Sequence, residues 1–186
     1  MIITIEGKPA SGKTTTCIKL IEKIKEKGKH YLCGFTTKEI RDHTGKRTGF
    51  EIITIQGRRA ILADVIYKTP FRVGKYYVKV DNFEKIALDE VGKFFKGECN
   101  ILIIDEIGKM EMLSKKFRES IEKLLSVEKG IIVCTLPVVD FHPLVSAFRQ
   151  RADKRFLLES GSYKSDEVAE EILQIVLKKP LQNQST

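Results

Sequence analysis

Apolar positions along the chain fall into two kinds of run, short unbroken ones and longer ones with a period near 3.6, and the two kinds take turns. The first, residues 2–5, stops at Glu6 and Gly7. Cys17, Ile18, Leu20, Ile21 and Ile24 then recur at helical spacing, which predicts a helix over 14–27 closed by Gly28. Residues 31–37 read as a second strand. Between 38 and 63 the pattern changes to extended runs separated by turn residues, around Gly45 and Gly57, and predicts a small antiparallel meander at the sheet edge. Residues 71–80 continue in extended form around Gly74. Asp81, with Glu84 three residues on, has the form of a capping arrangement for a helix over 82–95 ended by Gly97.

The second half repeats the alternation more regularly. Residues 101–104 are wholly apolar and stop at Asp105 and Glu106, the mark of a strand buried on both faces of a parallel sheet. A helix over 114–126 places Phe117, Ile121, Leu124 and Leu125 on one face and closes near Gly130, and residues 131–136 form another buried strand halted by Pro137. A short helix over 143–149, a strand over 155–158 and an amphipathic helix over 165–179 follow, with Pro180 as the stop and a polar tail over 181–186. Strands alternating with helices in this way predict a three-layer α/β sandwich, mainly parallel, forming one domain over 1–180 with its ligand at the C-terminal ends of the strands.

Composition narrows the function classes. The 186 residues are enough to bury a sizeable core without metal or disulfides, and 42% hydrophobic with 31% charged residues is a globular balance. The net charge of +8 favours acidic partners such as nucleotides or nucleic acid, but it is spread along the chain. No aromatic-basic RNA signature or zinc-finger spacing accompanies it, so nucleic acid is admitted without a motif of its own. Cys17, Cys33, Cys99 and Cys134 lie far apart in or beside apolar segments and are expected to be reduced core thiols. No stretch has the form of a signal peptide or the length of a membrane span, and a soluble, cytoplasmic monomer is expected.

The chemistry is concentrated at two strand ends. Gly7, Lys8, Pro9, Ala10, Ser11, Gly12, Lys13 and Thr14 spell G-x-x-x-x-G-K-[ST] between a strand and a helix, the pattern of a phosphate-binding loop. Backbone amides wrap an anionic phosphate, Lys13 supplies a point charge, the Thr14 hydroxyl is offered to Mg²⁺, and the helix aims the positive end of its dipole at the same place. A nucleoside triphosphate such as ATP is the ligand this predicts. Asp105 supplies the carboxylate for Mg²⁺, directly or through a water, and Glu106 is the candidate general base for a water aligned on the γ-phosphorus. Thr135, at the end of residues 131–136, could reach that water or the γ-phosphate, or could simply end its strand. Arg41, Arg47, Arg72, Arg149, Arg151 and Arg155 cannot be ranked as charge donors from spacing. Tyr76 and Tyr77 are read as strand packing rather than as a base platform, and no histidine has ligand spacing.

These residues resemble the small nucleoside-triphosphatase family of thermophilic prokaryotes together with the cancer-related nucleoside-triphosphatase. Besides the loop, the resemblance rests on Gly34 to Arg41, Thr48 to Phe50, Arg72 to Tyr76, Ile104 to Glu111 and Cys134 to Pro137, in the family's order over residues 1 to about 140. Asp-Glu-Ile-Gly-Lys-Met-Glu, residues 105–111, is its most specific block. It implies a P-loop NTPase fold and Mg²⁺-dependent hydrolysis of several nucleoside triphosphates to diphosphate and phosphate. It also implies nucleotide contacts at the loop, extended to Thr15, and along Leu102, Ile103, Ile104, Asp105, Glu106, Ile107, Gly108 and Lys109. No guanine-selective N-K-x-D element is present, so tolerance of several bases is expected. Two other readings stay open. One is a P-loop kinase with residues 149–155 closing as a basic lid, and the other is a nucleotide-dependent switch that binds nucleic acid or protein.

Overall fold

The alternation in the sequence becomes a nine-stranded sheet covered on both faces, seen in a computed structural model that describes residues 1–28, 30–159 and 164–179. The strands are β1 (Ile2–Gly7), β2 (Leu32–Arg41), β3 (Arg47–Thr54), β4 (Arg59–Asp64), β5 (Arg72–Val73), β6 (Tyr76–Val78), β7 (Ile101–Ile104), β8 (Ile131–Leu136) and β9 (Lys154–Leu158). They lie in the order β5-β6-β4-β3-β2-β7-β8-β1-β9. From β2 to β9 all neighbours are parallel, and from β2 outward to β5 all are antiparallel. The expected mainly parallel α/β sandwich with an antiparallel meander at its edge is therefore the observed architecture.

Two cores arise because successive side chains of a strand face opposite ways. Leu102 and Ile104 join Ile2, Phe35, Ile132 and Cys134 in one core, while Ile101 and Ile103 join Ile3, Ile5, Ile131 and Val133 in the other. Helices α2 (Val80–Phe95), α3 (Lys115–Glu122) and α4 (Pro143–Arg151) cover the first through Phe83, Phe117 and Phe148. Helices α1 (Lys13–Lys27) and α5 (Ser165–Lys178) cover the second through Leu20, Ile24, Ile172 and Val176. Each such aliphatic or aromatic side chain, fully buried, contributes about 1.5–3 kcal/mol of burial free energy.

Several expectations are corrected. β2 runs four residues past 37, because its second half acquires a partner of its own in β3, Thr37 to Ile40 pairing with Ile52 to Gly49. α2 begins at Val80, so Asp81 lies inside its first turn, and no side chain caps the helix. Glu84 instead accepts from the Ser114 hydroxyl at 2.7 Å and from Lys116 at 2.9 Å. The helix over 114–126 is α3 with Ser114 as its cap, followed by a 3-10 turn over Lys123–Ser126. Cys33 and Cys99 form a disulfide, their Cα atoms 5.8 Å apart where β2 enters the sheet beside the approach to β7, whereas Cys17 and Cys134 are free and buried. Tyr76 is packed into the meander against Phe50 as expected. Pro180 and the tail over 181–186 lie outside the described residues. Among those described, no helix is long and apolar enough to cross a membrane.

Candidate active site

β1 delivers the chain to Gly7, and α1 takes it up again at Lys13. Between them Lys8, Pro9 and Ala10 form an exposed outer arc, while Ser11 and Lys13 are buried beneath it. No side chain caps α1, so the amides of its first turn and the positive end of its dipole are left for an anion held in the arc. Ser11 Oγ is buried without a hydrogen-bond partner, packed so closely against Gly7 that a side chain there would collide with it. Lys13 Nζ donates to the carbonyls of Gly7 at 2.9 Å and Lys8 at 3.2 Å. It also lies 3.4 Å from Glu106 Oε2. The loop thus meets the end of β7 without any intervening element.

β7 brings Asp105 and Glu106 to that meeting point. Leu102, Ile103 and Ile104 are themselves fully buried in the two cores, so what the strand offers the loop is the pair of carboxylates at its end. Asp105 is fully buried, and its amide donates to the Phe35 carbonyl on β2. Its Oδ1 accepts from the Thr135 hydroxyl at 2.7 Å, while Oδ2 has no hydrogen-bond partner. Burial pushes the Asp105 carboxyl up to about 6, against the lowering effect of the Thr135 and Thr14 hydroxyls and the Thr37 amide, with the Glu106 charge raising it further. The Glu106 side chain is one-third exposed. Ile107 is buried and tied back by its amide to the Thr135 carbonyl, Gly108 is buried, and Lys109 is exposed with its Nζ 6.0 Å from the Phe141 ring. Thr15, the second residue in from the loop, is exposed.

The donor set suits Mg²⁺. A hard cation of that size takes one or two protein oxygens, keeps waters and shares phosphate oxygens. A buried carboxylate oxygen without a partner, with the Thr14 hydroxyl close to the same carboxylate, matches that demand. Among the described residues no group of three or more His, Cys, Asp or Glu could hold a metal, so a cage of that kind is not the alternative.

Thr135 is brought to the site, but its proton is given to Asp105, which makes it an orienting partner of that carboxylate. The arginines are accounted for by other partners. Arg149 and Arg155 both bind Glu6, with Arg149 Nε 2.8 Å from Oε2 and Arg155 Nε 2.8 Å from Oε1. Arg41 and Arg47 pair with Glu39, Arg72 donates to the Gly74 carbonyl, and Arg151 lies 3.5 Å from Asp153. Residues 149–155, read as a candidate lid, are instead the end of α4 and the start of β9, and two of their arginines are anchored on β1.

Two carboxylates here escaped sequence reasoning. Glu6, just before the loop, is 4% exposed and holds both arginines, and Glu111 is also 4% exposed in a 3-10 turn over Glu111–Leu113. Nothing in the local pattern signals Glu6. Glu111 closes the most specific block of the sequence, which was the available sign.

The family described as NTPase matches residues 2–173 of the chain. The nucleoside-triphosphatase THEP1 of Aquifex aeolicus is 38% identical over 181 residues, covering 95% of this chain and 99% of that protein. The mouse cancer-related nucleoside-triphosphatase homolog is 37% identical over 161 residues, covering 81% of this chain and 84% of that protein. In structure, the chain is similar to the crystal structure of the Aquifex THEP1, with a TM-score of 0.79 at 35% identity over 96% of this chain and 100% of the other. It is also similar to the solution structure of a human cancer-related nucleoside triphosphatase, with a TM-score of 0.74 at 31% identity over 99% of this chain and 98% of the other.

Proposed function

This chain belongs to the NTPase family, and from that premise we propose that it is a Mg²⁺-dependent nucleoside-triphosphatase hydrolysing ATP, GTP, CTP and UTP to the nucleoside diphosphate and phosphate with little choice of base. The observation that carries the reading is the contact of Lys13 Nζ with Glu106 Oε2 at 3.4 Å, beside the unpartnered Oδ2 of Asp105. It sets a phosphate-binding cation, a general-base candidate and a cation-binding oxygen side by side.

In this mechanism the loop amides and Lys13 hold the β- and γ-phosphates, and Thr14 and Asp105 are the residues that would hold Mg²⁺. The metal supplies charge neutralisation on the phosphate oxygens. Thr135 orients Asp105 through the 2.7 Å hydrogen bond. Glu106, at the mouth of the site rather than beneath it, accepts the proton of the attacking water and fixes its line of approach. Catalysis is then positioning and electrostatics, with no covalent intermediate on the protein. The lack of an N-K-x-D element supports base tolerance. Arg149 and Arg155, engaged with Glu6, speak against the lid that a kinase reading requires.

Phosphate release from each of the four triphosphates, with Mg²⁺ and no acceptor, tests this. Comparable release from all four is expected, with Glu106→Gln still binding nucleotide but turning over about 100-fold or more slowly, the scale of a lost general base. Normal turnover by Glu106→Gln overturns the mechanism, and release confined to one base overturns the substrate range.

A further inference from the structure

Beyond β7 the chain doubles back on itself. The Ile107 amide is pinned to the Thr135 carbonyl at 3.0 Å, and the Met112 amide reaches back to the Gly108 carbonyl at 3.0 Å. This fold-back buries Glu111 beside Met112 and Ser114. It also brings the Glu111 carboxyl against Gly108. A methyl group built on Gly108 would stand 2.6 Å from Glu106 Oε1 and 2.8 Å from Glu111 Oε2, so both carboxyl groups close on the volume that only a missing side chain leaves free.

The charge pattern around this volume is lopsided. Lys13 takes Oε2 of Glu106, and among the described residues no cation lies within ion-pair distance of Glu111. A carboxylate buried without a cation gives up its charge. Burial, with the neighbouring charges of Glu106 and Asp105, pushes Glu111 up to about 8 against the lowering effect of its own amide and that of Gly108. A neutral carboxyl is a hydrogen-bond donor where a carboxylate is only an acceptor.

Glu106 needs such a neighbour. Its contact to Lys13 is the one a triphosphate competes for, so once phosphate engages Lys13 a second attachment must keep the carboxylate aimed. We propose that Glu111 is a positioning residue for Glu106, its buried carboxyl donating to Oε1 beside Gly108 so that Oε2 remains turned toward the phosphate loop. The proposal rests on the reading of Glu106 as the base, and Gly108 belongs to it as the residue whose lack of a side chain lets the two groups approach.

Steady-state kinetics of Glu111→Ala, Glu111→Gln and Gly108→Ala, with Glu106→Gln as reference and thermal unfolding as a check on folding, decide it. Glu111→Ala is expected to lower kcat by about 10- to 100-fold, the scale of a misaimed catalytic group, with KM moving less than about twofold. Glu111→Gln, which keeps a neutral donor, is expected to recover most of that loss. Gly108→Ala meets Oε1 and Cγ of Glu106 and Oε2 of Glu111, side-chain atoms rather than backbone, and it is expected to reproduce the kcat loss by wedging the pair apart. It decides the matter if Glu111→Ala fails to fold. Full kcat in Gly108→Ala, or a loss in Glu111→Gln as deep as in Glu111→Ala, overturns the proposal. If Glu106→Gln is itself fully active, the underlying mechanism fails; if it is inactive while folded Glu111→Ala turns over normally, only the positioning role fails.

Discussion

Arg149 is the residue on which two accounts of the molecule divide. Its guanidinium sits on Glu6, on the Pro137 carbonyl and on Asp140, and its side chain is only 13% exposed. Glu6 in turn is pulled up by burial, but hydrogen bonds from Arg155, Arg149 and Thr4 outweigh this and hold it below its usual range. A residue so engaged belongs to the architecture under the phosphate loop rather than to the chemistry above it. Arg149→Ala leaves Glu6 with Arg155 and the Thr4 hydroxyl, and a loss of about 2–3 kcal/mol in urea unfolding is expected for a charge-assisted bond broken at a buried acceptor. Unchanged stability with collapsed turnover would identify Arg149 as a charge donor to the phosphates instead. No inspection of spacing could reach this pairing, since Glu6 and Arg149 are 143 residues apart. Lys13, Thr14, Asp105 and Glu106 were legible for the opposite reason, because loop and strand-end chemistry are written in consecutive residues.

Among the elements, β2 carries the heaviest constraint. Its first four residues pair in parallel with β7, its later ones antiparallel with β3, and Gly34 lies in the parallel part with φ +118. A methyl group there would stand 1.9 Å from the Ile103 carbonyl oxygen, backbone that cannot yield. The buried Glu90 of α2 also accepts from the Gly34 amide at 2.8 Å, fastening helix to strand at the same residue. Gly34→Ala is expected to cost about 3 kcal/mol or more, strain and overpacking together, read as a lower urea midpoint or as insoluble protein. A variant of ordinary stability would show that β2 and β7 part easily. The sequence marked Gly34 as part of a strand and as the first residue of a family block but not as a close contact, because two strands' approach is invisible from one of them. It misplaced the start of α2 for a related reason: Asp81 and Glu84 have the cap spacing, but Glu84 finds Ser114 and Lys116 at the start of α3, and tertiary partners displace the local ones.

For the molecule as a whole, ligand binding should be visible in unfolding. A nucleoside diphosphate at about 100 times its Kd adds about 2.7 kcal/mol, which for a chain of this length raises Tm by about 5–10 °C. With Mg²⁺ added to ADP the shift is expected to grow in the unaltered protein and not in Thr14→Ala, because that hydroxyl is one of the two side-chain oxygens assigned to the cation. Thr14→Ala keeping the full Mg²⁺ increment would remove Thr14 from the metal site. The layered arrangement was legible from alternation, since short unbroken apolar runs such as Ile101 to Ile104, bounded by polar residues, suit strands covered on both faces. The extent of the meander was not, because short strands such as β5 and β6 are stabilised by their neighbours rather than by their own pattern.

One continuous ladder from β5 to β9 makes β2 a shaft shared by two machines. One end is splined to the strand that carries Asp105, the other to four antiparallel strands whose Ile52, Leu62 and Val78 are buried in the same core as α2. Phe35 pairs with Thr54 on β3 and its carbonyl also accepts from the Asp105 amide, so the register of the meander and the height of that carboxylate are set at one residue.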